Sequence, residues 1–484
     1  MRKMRIEKYI HIIICVCLVF ASLCTAAQGH KPVRLEFPSN QYTGELNCQI
    51  CGEEGVCTIF PTERGDSTIL NIQHYDANFS RVDEVRIAVF PQQVYVGSAY
   101  DQHTVYILYQ SKVKKKKEPH GLLVTYHVKE HKADTLSVRG LPTDDITQLS
   151  AYNGHIFFVC PTRRNNSDLF FIAPKADYVK ALSLNEVPEY TIDDYIIDTV
   201  DERIITCANT SSNSRDNIIW LCETTLSGEV THTIDLPDTG IYRFQNARIA
   251  QLAPSKYLIA GTYQARRGSV DNTAEGSYAT VYDNGNFTEP ALYPYPQLST
   301  YTNTNRTGFS EVLYLPSRIY HDSTRYAFVT EAFYPEYRYS TTYTYGVPMT
   351  ESVFVGYQFV NAEVKIFDAD GNLQWEYTFP YDNMLTSSMY THLRVNFFAD
   401  KVLFYYLYNQ NLVTMLTNNT MEVIDPIRST NLFPSENKIE PTVFTTGLLP
   451  WYGDNFLMSG YRYKNTGSSK SKNPVYFINK LRYQ

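Results

Sequence analysis

Three histidines, His120, His127 and His131, lie close enough in the sequence to suggest a metal site. On a helix, two histidines four residues apart share one face and can hold one ion. The segment 120–131 is instead rich in β-forming residues and alternates in polarity, which favours a strand. Residues four apart on a strand are separated by about 13 Å, whereas two ligands of one zinc ion each lie about 2 Å from it. The sequence therefore predicts no metal site and no cofactor.

Six cysteines follow residue 27, and an even number in an oxidising compartment is compatible with disulfides. Cys207 and Cys222 flank a polar loop, and strands paired as a hairpin would place them nearly opposite each other, so we predict a disulfide between them. The pairing of the remaining cysteines stays open among Cys48, Cys51, Cys57 and Cys160. The spacing of Cys48 and Cys51 also fits half of a zinc site or a redox pair, which are the alternatives.

Two acidic pairs, Asp144-Asp145 and Asp193-Asp194, occupy corresponding positions of an internal repeat. Glycosidic hydrolysis needs two carboxyl groups about 5–10 Å apart that face one substrate. Because the pairs recur with the repeat, we interpret them as turn or strand-start residues. The lysines at 112 and 114–117 indicate a solvated hairpin tip, with anion binding as the alternative. No nucleophile elbow, metalloprotease helix motif or phosphate loop occurs, so we predict no catalytic residues and favour a non-enzyme.

Tyrosine-rich insertions provide the main candidate binding surface, in a chain with 40 Tyr and only 3 Trp. Tyrosine and arginine are enriched at binding surfaces because they combine a large contact area with a polar group. The insertions lengthen two adjacent repeats, so we expect them to lie near each other on one face. The candidate residues are Tyr293, Tyr295, Tyr301, Tyr334, Tyr337, Arg338, Tyr339, Tyr343 and Tyr345. The alternative is that these insertions only cover the end of a sheet.

The N-terminus has the three regions of a secretory signal peptide. Basic residues between Met1 and Lys8 precede an apolar stretch from Tyr9 to Leu23, and small residues follow at 25–27. The stretch has about 15 residues, fewer than the roughly 20 that a membrane-spanning helix needs. We therefore expect residues 1–27 to be a cleaved signal peptide and the protein to be periplasmic, outer-membrane-associated or extracellular.

A lipoprotein anchored through Cys24 is the alternative to cleavage after Ala26 or Ala27. The residue before Cys24 is Leu23, whereas bacterial lipoprotein signals have a small residue there. Only lipidation at Cys24 would attach the protein peripherally to a membrane. The formal net charge of −7 gives no basic excess, so we predict no nucleic-acid partner.

An internal repeat indicates the fold. Ser98–Tyr106 resembles Ser150–Phe158 at an offset of 52 residues, and both read as a strand, a polar turn and a second strand. Further copies continue to the C-terminus. A repeat of about 40–55 residues with four short strands is typical of a propeller blade. We predict an all-β protein: a β-propeller of seven four-stranded blades, or eight if residues 57–85 supply another. Tandem β-sandwiches are the alternative.

We expect a single propeller domain at 57–484, preceded by an N-terminal segment at 28–56 that holds the cysteine cluster. An N-terminal strand that pairs with the last blade would close the ring. The segment Val364–Tyr377 resembles a strand-turn-strand element of quinoprotein-type propellers, with a turn at Asp370-Gly371 and a tryptophan, Trp375, that would pack between blades. In its tyrosine, asparagine and threonine usage, the chain also resembles exported proteins of Bacteroidetes-type bacteria.

These observations favour a secreted or cell-envelope propeller that acts as a scaffold for an envelope protein or a glycan. The alternative is a carbohydrate-active hydrolase or lyase with its site at the mouth of the propeller channel. A pocket that holds two carboxylates, or a carboxylate with Tyr and Arg, would favour the enzyme.

Overall fold

A computed structural model describes residues 34–482, apart from segments 65–66, 90–92, 112–119, 164–165, 183, 185–189, 211–217, 238, 267–273, 297–311, 345–346, 433–442 and 467–468. Its strands form eight antiparallel sheets that follow one another along the chain. We call these sheets blades 1 to 8. In the described residues the helices are two short 3₁₀ turns, Ser39–Gln41 and Gly52–Glu54, and no helix there is long and apolar enough to cross a membrane.

Blades 1 to 4 are regular four-stranded sheets, each formed by four consecutive strands. The strands are β2 (Asn47–Ile50), β3 (Val56–Arg64), β4 (Ser67–Tyr75) and β5 (Arg81–Val89) in blade 1; β6 (Gln93–Asp101), β7 (Thr104–Ser111), β8 (His120–His127) and β9 (Lys132–Arg139) in blade 2; β10 (Thr147–Tyr152), β11 (His155–Arg163), β12 (Asn166–Ile172) and β13 (Lys180–Leu182) in blade 3; and β14 (Tyr190–Asp198), β15 (Arg203–Thr210), β16 (Ile219–Thr225) and β17 (Val230–Asp235) in blade 4.

Blades 5 and 6 keep four strand positions, although some positions are divided between two short strands that pair with the same neighbour. Blade 5 has β18 (Tyr242–Phe244) and β19 (Arg248–Ala253) in its first position, then β20 (Lys256–Ala265) and β21 (Gly276–Asp283), and β22 (Asn286–Phe287) and β23 (Ala291–Pro294) in its last. Blade 6 has β24 (Leu313–Pro316) and β25 (Tyr320–His321) first, then β26 (Tyr326–Thr344), β27 (Val347–Phe367) and β28 (Leu373–Thr386).

The last two blades complete the ring. Blade 7 contains β29 (Arg394–Phe397), β30 (Lys401–Tyr408), β31 (Asn411–Asn418) and β32 (Val423–Asn431); blade 8 contains β33 (Val443–Pro450), β34 (Asn455–Thr466), β35 (Ser469–Arg482) and the N-terminal strand β1 (Arg34–Pro38). β1 pairs antiparallel with β35, Leu35 lying opposite Ile478. The first and last parts of the chain thus share one sheet, as predicted.

Apolar clusters occupy all eight junctions between neighbouring blades, including the junction of blade 8 with blade 1. Eight sheets that each pack against two neighbours form a closed ring, so the chain is an all-β propeller with eight blades. The repeat explains the burial pattern of single strands. The middle strand β15 is buried at six consecutive positions because a blade packs against each of its faces, whereas part of the outer strand β28 alternates between half-buried and exposed.

The hairpin turns that define the sequence repeat are formed by residues that tolerate a positive φ. Gln102 and His103 have φ angles of 42° and 66° between β6 and β7, and Asn153 and Gly154 have 51° and 81° at the corresponding turn in blade 3. Such turns match the twist of antiparallel strands. In the turn of the segment Val364–Tyr377, Gly371 has a φ of 84°.

Two predictions about the N-terminal half require correction. The propeller begins before residue 57, because β1 and β2 already belong to blades 8 and 1. The predicted Cys207–Cys222 disulfide is absent, since all six described cysteines are free. Cys207 lies opposite Leu221 and Cys222 opposite Thr206, so the two thiols are one position out of register. Their side chains enter different interblade clusters on opposite faces of blade 4.

Candidate functional site: the central channel pocket

The first strands of the blades lie nearest the axis of the ring. Those of blades 1 and 2, 2 and 3, 4 and 5, and 6 and 7 approach each other within 8 Å between Cα atoms. A cavity of about 730 Å³ is lined by residues from the first strands of blades 3 to 7 and the segments next to them. This cavity, here called the channel pocket, is therefore part of the central channel. Its volume falls within the range of about 300–1,000 Å³ that is usual for ligand sites.

Three arginines enter the channel pocket from three consecutive blades, namely Arg248, Arg318 and Arg394. Each stands between two buried residues in a recurring sequence: Ala247-Arg248-Ile249, Ser317-Arg318-Ile319 and Leu393-Arg394-Val395. The flanking side chains are anchored between blades, and the arginine between them points toward the channel. These residues could not be picked out from the sequence, which pointed only to the channel mouth, because Arg-Ile and Arg-Val dipeptides also occur outside the pocket, for example at 81–82 and 203–204.

Tyr320 links two of these arginines. The Arg318 guanidinium lies 5.2 Å from the centroid of the Tyr320 ring. The hydroxyl of the same tyrosine accepts a hydrogen bond of 3.1 Å from Arg394 Nη1 and donates one of 3.2 Å to the carbonyl oxygen of Leu393. A single buried phenol thus holds two positive groups beside one another.

Two half-buried carboxylates hold the backbone that carries Arg248. Asp193 Oδ2 accepts a hydrogen bond of 2.9 Å from the amide of Ala247, and Asp194 Oδ2 accepts one of 3.3 Å from the amide of Ile249. Arg248 itself donates from Nη1 to the carbonyl oxygen of Asp193. Burial raises the pKa of Asp193 to about 6, although Arg248 and these hydrogen bonds favour its charged form. Both amide groups that flank the arginine are therefore fixed by blade 4.

Glu331 plays the same part for Arg394. It is fully buried, and its Oε1 accepts hydrogen bonds from the amides of His392 and Leu393 at 2.6 and 2.8 Å. Burial raises the pKa of Glu331 to about 8 and lowers that of His392 to about 4. An acid from one blade again fixes the peptide groups next to a channel arginine of the following blade.

The remaining lining of the channel pocket combines uncharged polar groups with apolar side chains such as Leu149 and Ile197. Hydroxyl and amide groups come from Gln148, Ser150, Gln251, Ser317 and Thr391. Asp194 is the acidic side chain among the described residues that line the pocket, and burial raises its pKa. The pocket is lined by three guanidinium groups and one carboxylate. It therefore has a positive potential, although the net charge of the protein is negative.

The structure separates the predicted tyrosine surface into two environments. Tyr295 stacks on Tyr314 at 3.8 Å between ring centroids, and Tyr293 contacts Phe367 at 6.0 Å. These two rings pack between blades 5 and 6 and also lie under the Lys365 ammonium group. These two tyrosines therefore contribute to the junction of blades 5 and 6.

The second group lies on a long hairpin, in which β26 and β27 extend beyond the pairing with β28. We call residues 337–354 of this hairpin the arm. Tyr337 and Tyr339 are 43% and 67% exposed, and Phe354, which contacts Tyr337 at 5.6 Å, is 44% exposed. Arg338 lies between the two tyrosines and is also exposed, while Tyr334, nearer the blade, is half-buried. Tyr301, Tyr345 and the side chain of Tyr343 lie outside the described residues.

The other residues that the sequence marked for chemistry do not meet in one place. Asp144-Asp145 is exposed before β10 and lies outside the lining of the channel pocket, whereas Asp194 is part of it. The predicted strand over 120–131 is confirmed only as far as His127, which ends β8 and contacts Thr104. Residues 128–131 form the turn to β9, in which the amide of His131 donates to the carbonyl oxygen of His127. Cys51 and Cys57 lie with their Sγ atoms 3.7 Å apart. The lysines at 112 and 114–117 and the proposed signal peptide lie outside the described residues.

No family model and no curated protein matches the chain. Among solved structures it is similar to the β-propeller domain of the Trilobed protease from Pyrococcus furiosus, at 9% identity over 79% of this chain and 96% of that one, with a TM-score of 0.37. It is also similar to the polysaccharide lyase Uly1, at 8% identity over 85% and 93% with a TM-score of 0.45, and to the dihydro-heme d1 dehydrogenase NirN, at 11% over 93% and 79% with a TM-score of 0.43. None of these similarities assigns a function to this chain.

Proposed function

We propose that this protein is an exported β-propeller that binds a glycan in the channel pocket. The observation that supports this proposal is the pocket itself: about 730 Å³ of space lined by side chains from five consecutive blades. Hydroxyl, amide and guanidinium groups from Ser150, Gln251 and Arg394 offer several hydrogen bonds at fixed positions. A sugar has many hydroxyl groups, and these can form hydrogen bonds with such a lining.

Binding is favoured over glycoside hydrolysis. Hydrolysis requires two carboxyl groups that face the substrate, and Asp194 is the acid that lines the described part of the pocket. Its Oδ1 and Oδ2 accept hydrogen bonds from the amides of Tyr195 and Ile249. Both oxygens of the Asp194 carboxylate are therefore engaged by backbone amides, which favours a structural role for this group over a catalytic one.

The test is a glycan screen with the wild-type protein and a variant whose channel pocket is filled. Thr199 lines the pocket and is exposed, so Thr199→Trp places an indole in the ligand's space without removing a buried contact. Thr342→Trp on the exposed arm is the matched control. We expect calorimetry to show a bound glycan that Thr199→Trp loses and Thr342→Trp retains. Equal binding by both variants would place the ligand elsewhere and refute the proposal.

A lyase remains the second candidate, because Asp194, Tyr195 and Arg394 all line the pocket. Such a combination can neutralise an acidic sugar and move a proton. Prolonged incubation with uronate-containing polysaccharides tests this candidate. Chain cleavage with a new ultraviolet-absorbing double bond, lost in Arg394→Gln, would establish elimination, whereas recovery of intact glycan leaves binding as the function.

The exposed arm supports a second binding surface, for an envelope protein. Tyr337, Tyr339 and Phe354 expose aromatic rings on a hairpin that extends past its own blade. Double substitution Tyr337→Ala/Tyr339→Ala should abolish capture of a partner by the purified protein while glycan binding persists. Capture at wild-type strength would exclude the arm as the docking surface.

A further inference from the structure

We propose that the ligand of the channel pocket is acidic, namely a glycan with a carboxylate or sulfate group that is bound between Arg318 and Arg394. This inference rests on the proposed glycan-binding function and specifies the chemical class of the ligand. Its basis is the pair of guanidinium groups held by Tyr320, together with the use of the nearby acids for other contacts.

In the described part of the chain no acid lies within 4.0 Å of the guanidinium group of Arg318 or Arg394, although Asp194 and Glu331 attract them from a longer distance. The Arg318 guanidinium packs on the Tyr320 ring, and the Arg394 guanidinium donates a hydrogen bond to the Tyr320 hydroxyl. Two guanidinium groups beside one phenol repel each other, and the repulsion is strongest where the protein excludes water. An oxyanion placed between them removes this repulsion and can accept charge-assisted hydrogen bonds from both.

The neighbouring acids are already engaged with backbone amides. Asp194 accepts from Tyr195 and Ile249, and Glu331 accepts two amide hydrogen bonds through Oε1. Carboxylates with these contacts fix the strands that carry the arginines and leave the guanidinium groups directed at the pocket. The positive charge is therefore built into the site by the fold and is available to a ligand.

A carboxylate and a sulfate share the chemistry that this site recognises, because both present several oxygens with one negative charge. The probes separate them. Tetragalacturonic acid carries carboxylates, its fully methyl-esterified form has the same sugar backbone without charge, and a sulfated tetrasaccharide tests the second acidic group. Titration calorimetry at low and at physiological ionic strength compares the three probes on the full chain.

We expect an acidic probe to bind at least about tenfold more tightly than the methyl ester, and added salt to weaken the acidic probe alone. Arg318→Gln is the cleanest variant because Arg318 is exposed and lines the pocket, and among the described residues its guanidinium packs on the Tyr320 ring without a hydrogen bond. It should remove most of the preference for the acid. Arg86→Gln makes the same charge change on the exposed outer strand β5 of blade 1, outside the pocket lining, and should leave the preference intact.

The outcomes distinguish this inference from the function on which it rests. If the ester and the acids bind equally and Thr199→Trp abolishes both, the channel binds glycans but the acidic class is wrong. If Arg318→Gln and Arg86→Gln weaken binding of the acid alike, the effect is one of overall charge and the inference fails. If neither acid nor ester binds and the wider glycan screen is also empty, the proposed function fails as well.

Discussion

At the scale of single residues, the positions of the channel arginines depend on acids whose oxygens accept hydrogen bonds from the backbone. Asp193, Asp194 and Glu331 each accept hydrogen bonds from amide groups of the next blade, beside Arg248 or Arg394. A buried carboxyl group is costly to ionise unless hydrogen bonds or cations compensate it. The same arrangement occurs in blades 4 and 6. In both blades a carboxyl group that is costly to ionise fixes the backbone beside a channel arginine.

Glu331 gives the first prediction, which concerns the pH dependence of stability. Its pKa is raised by burial to about 8 in the fold, whereas an unfolded glutamate titrates near 4.3. A raised pKa means that the protonated form is favoured by folding, so this contribution is fully present below about pH 4 and is lost as the pH rises toward 8. Glu331→Gln remains neutral throughout.

We therefore expect the free energy of unfolding of the wild type, relative to Glu331→Gln, to fall by up to about 4 kcal/mol between pH 4.5 and 8. Denaturant titrations at several pH values measure this difference, and all other titrating groups are common to the two proteins. A difference that is constant with pH would show that Glu331 is ionised in the fold as easily as in water.

Cys51 and Cys57 give a second prediction at this scale. Their buried Sγ atoms lie 3.7 Å apart, and both belong to the cluster between blades 1 and 2. Cys48 instead packs toward blade 8. A disulfide of about 2.05 Å requires only a short approach of the two sulfurs. Oxidised glutathione supplies the oxidant: the two thiols lose two hydrogen atoms, and the glutathione disulfide is reduced to two thiols.

We expect non-reducing peptide mapping after refolding with oxidised glutathione to show a Cys51–Cys57 link. Cys57→Ser should abolish the link and lower the melting temperature of the oxidised protein, whereas Cys48→Ser should preserve the link. A product that joins Cys48 to Cys51, or six free thiols after oxidation, would contradict the prediction.

At the scale of elements, tyrosine connects neighbouring blades. The buried Tyr257 and Tyr282 of blade 5 donate hydrogen bonds to Asp198 and Glu223 of blade 4, and Tyr126 of blade 2 donates to Asp83 of blade 1. A phenol fills the space of a large apolar side chain and also satisfies a buried acceptor. Part of the high tyrosine content, which the sequence suggested as a binding surface, thus belongs to the interblade junctions.

Tyr257→Phe tests this role. The change removes a hydrogen bond to the fully buried Asp198 and leaves the ring in place. Loss of a partner for a buried charged acceptor costs about 1–3 kcal/mol, so we expect the free energy of unfolding to fall by this amount. Tyr339→Phe, which removes a hydroxyl from a ring that is 67% exposed, should have no measurable effect. Equal effects of the two changes would refute the assignment.

The strand order was predictable because the repeat preserves its turns. The match of Ser98–Tyr106 to Ser150–Phe158 gave the first two strands of blades 2 and 3, since turn residues and alternating strands are local signals. The channel arginines were not found in this way. Arg318 follows Arg248 by 70 residues and Arg394 follows Arg318 by 76, because blades 5 and 6 contain insertions that obscure the 52-residue period. The three arginines come together only because the ring closes, and ring closure cannot be predicted from a local sequence pattern.

At the scale of the whole molecule, ring closure combines distant parts of the chain. β1 supplies the outer strand of blade 8, and Phe37 on this strand packs against Phe60 and Tyr75 of blade 1 as well as Tyr476. The N-terminal strand therefore joins the last blade by hydrogen bonds and the first blade by apolar contacts. It also covers the edge of β35, which would otherwise be available for pairing with another chain.

Removal of residues 34–38 is the final prediction. The deletion uncovers β35 and removes Phe37 from the junction of blades 8 and 1, so we expect a clearly lower melting temperature and concentration-dependent association. Thermal unfolding and size-exclusion chromatography with light scattering measure the two effects. The control shortens the arm by two facing pairs, Ser340 with Glu351 and Thr341 with Thr350, which preserves its register. The control should melt like the wild type and remain monodisperse if the latter is. If the deletion variant behaves like this control, β1 does not close the ring in solution, and the stability of the propeller must come from the other seven junctions alone.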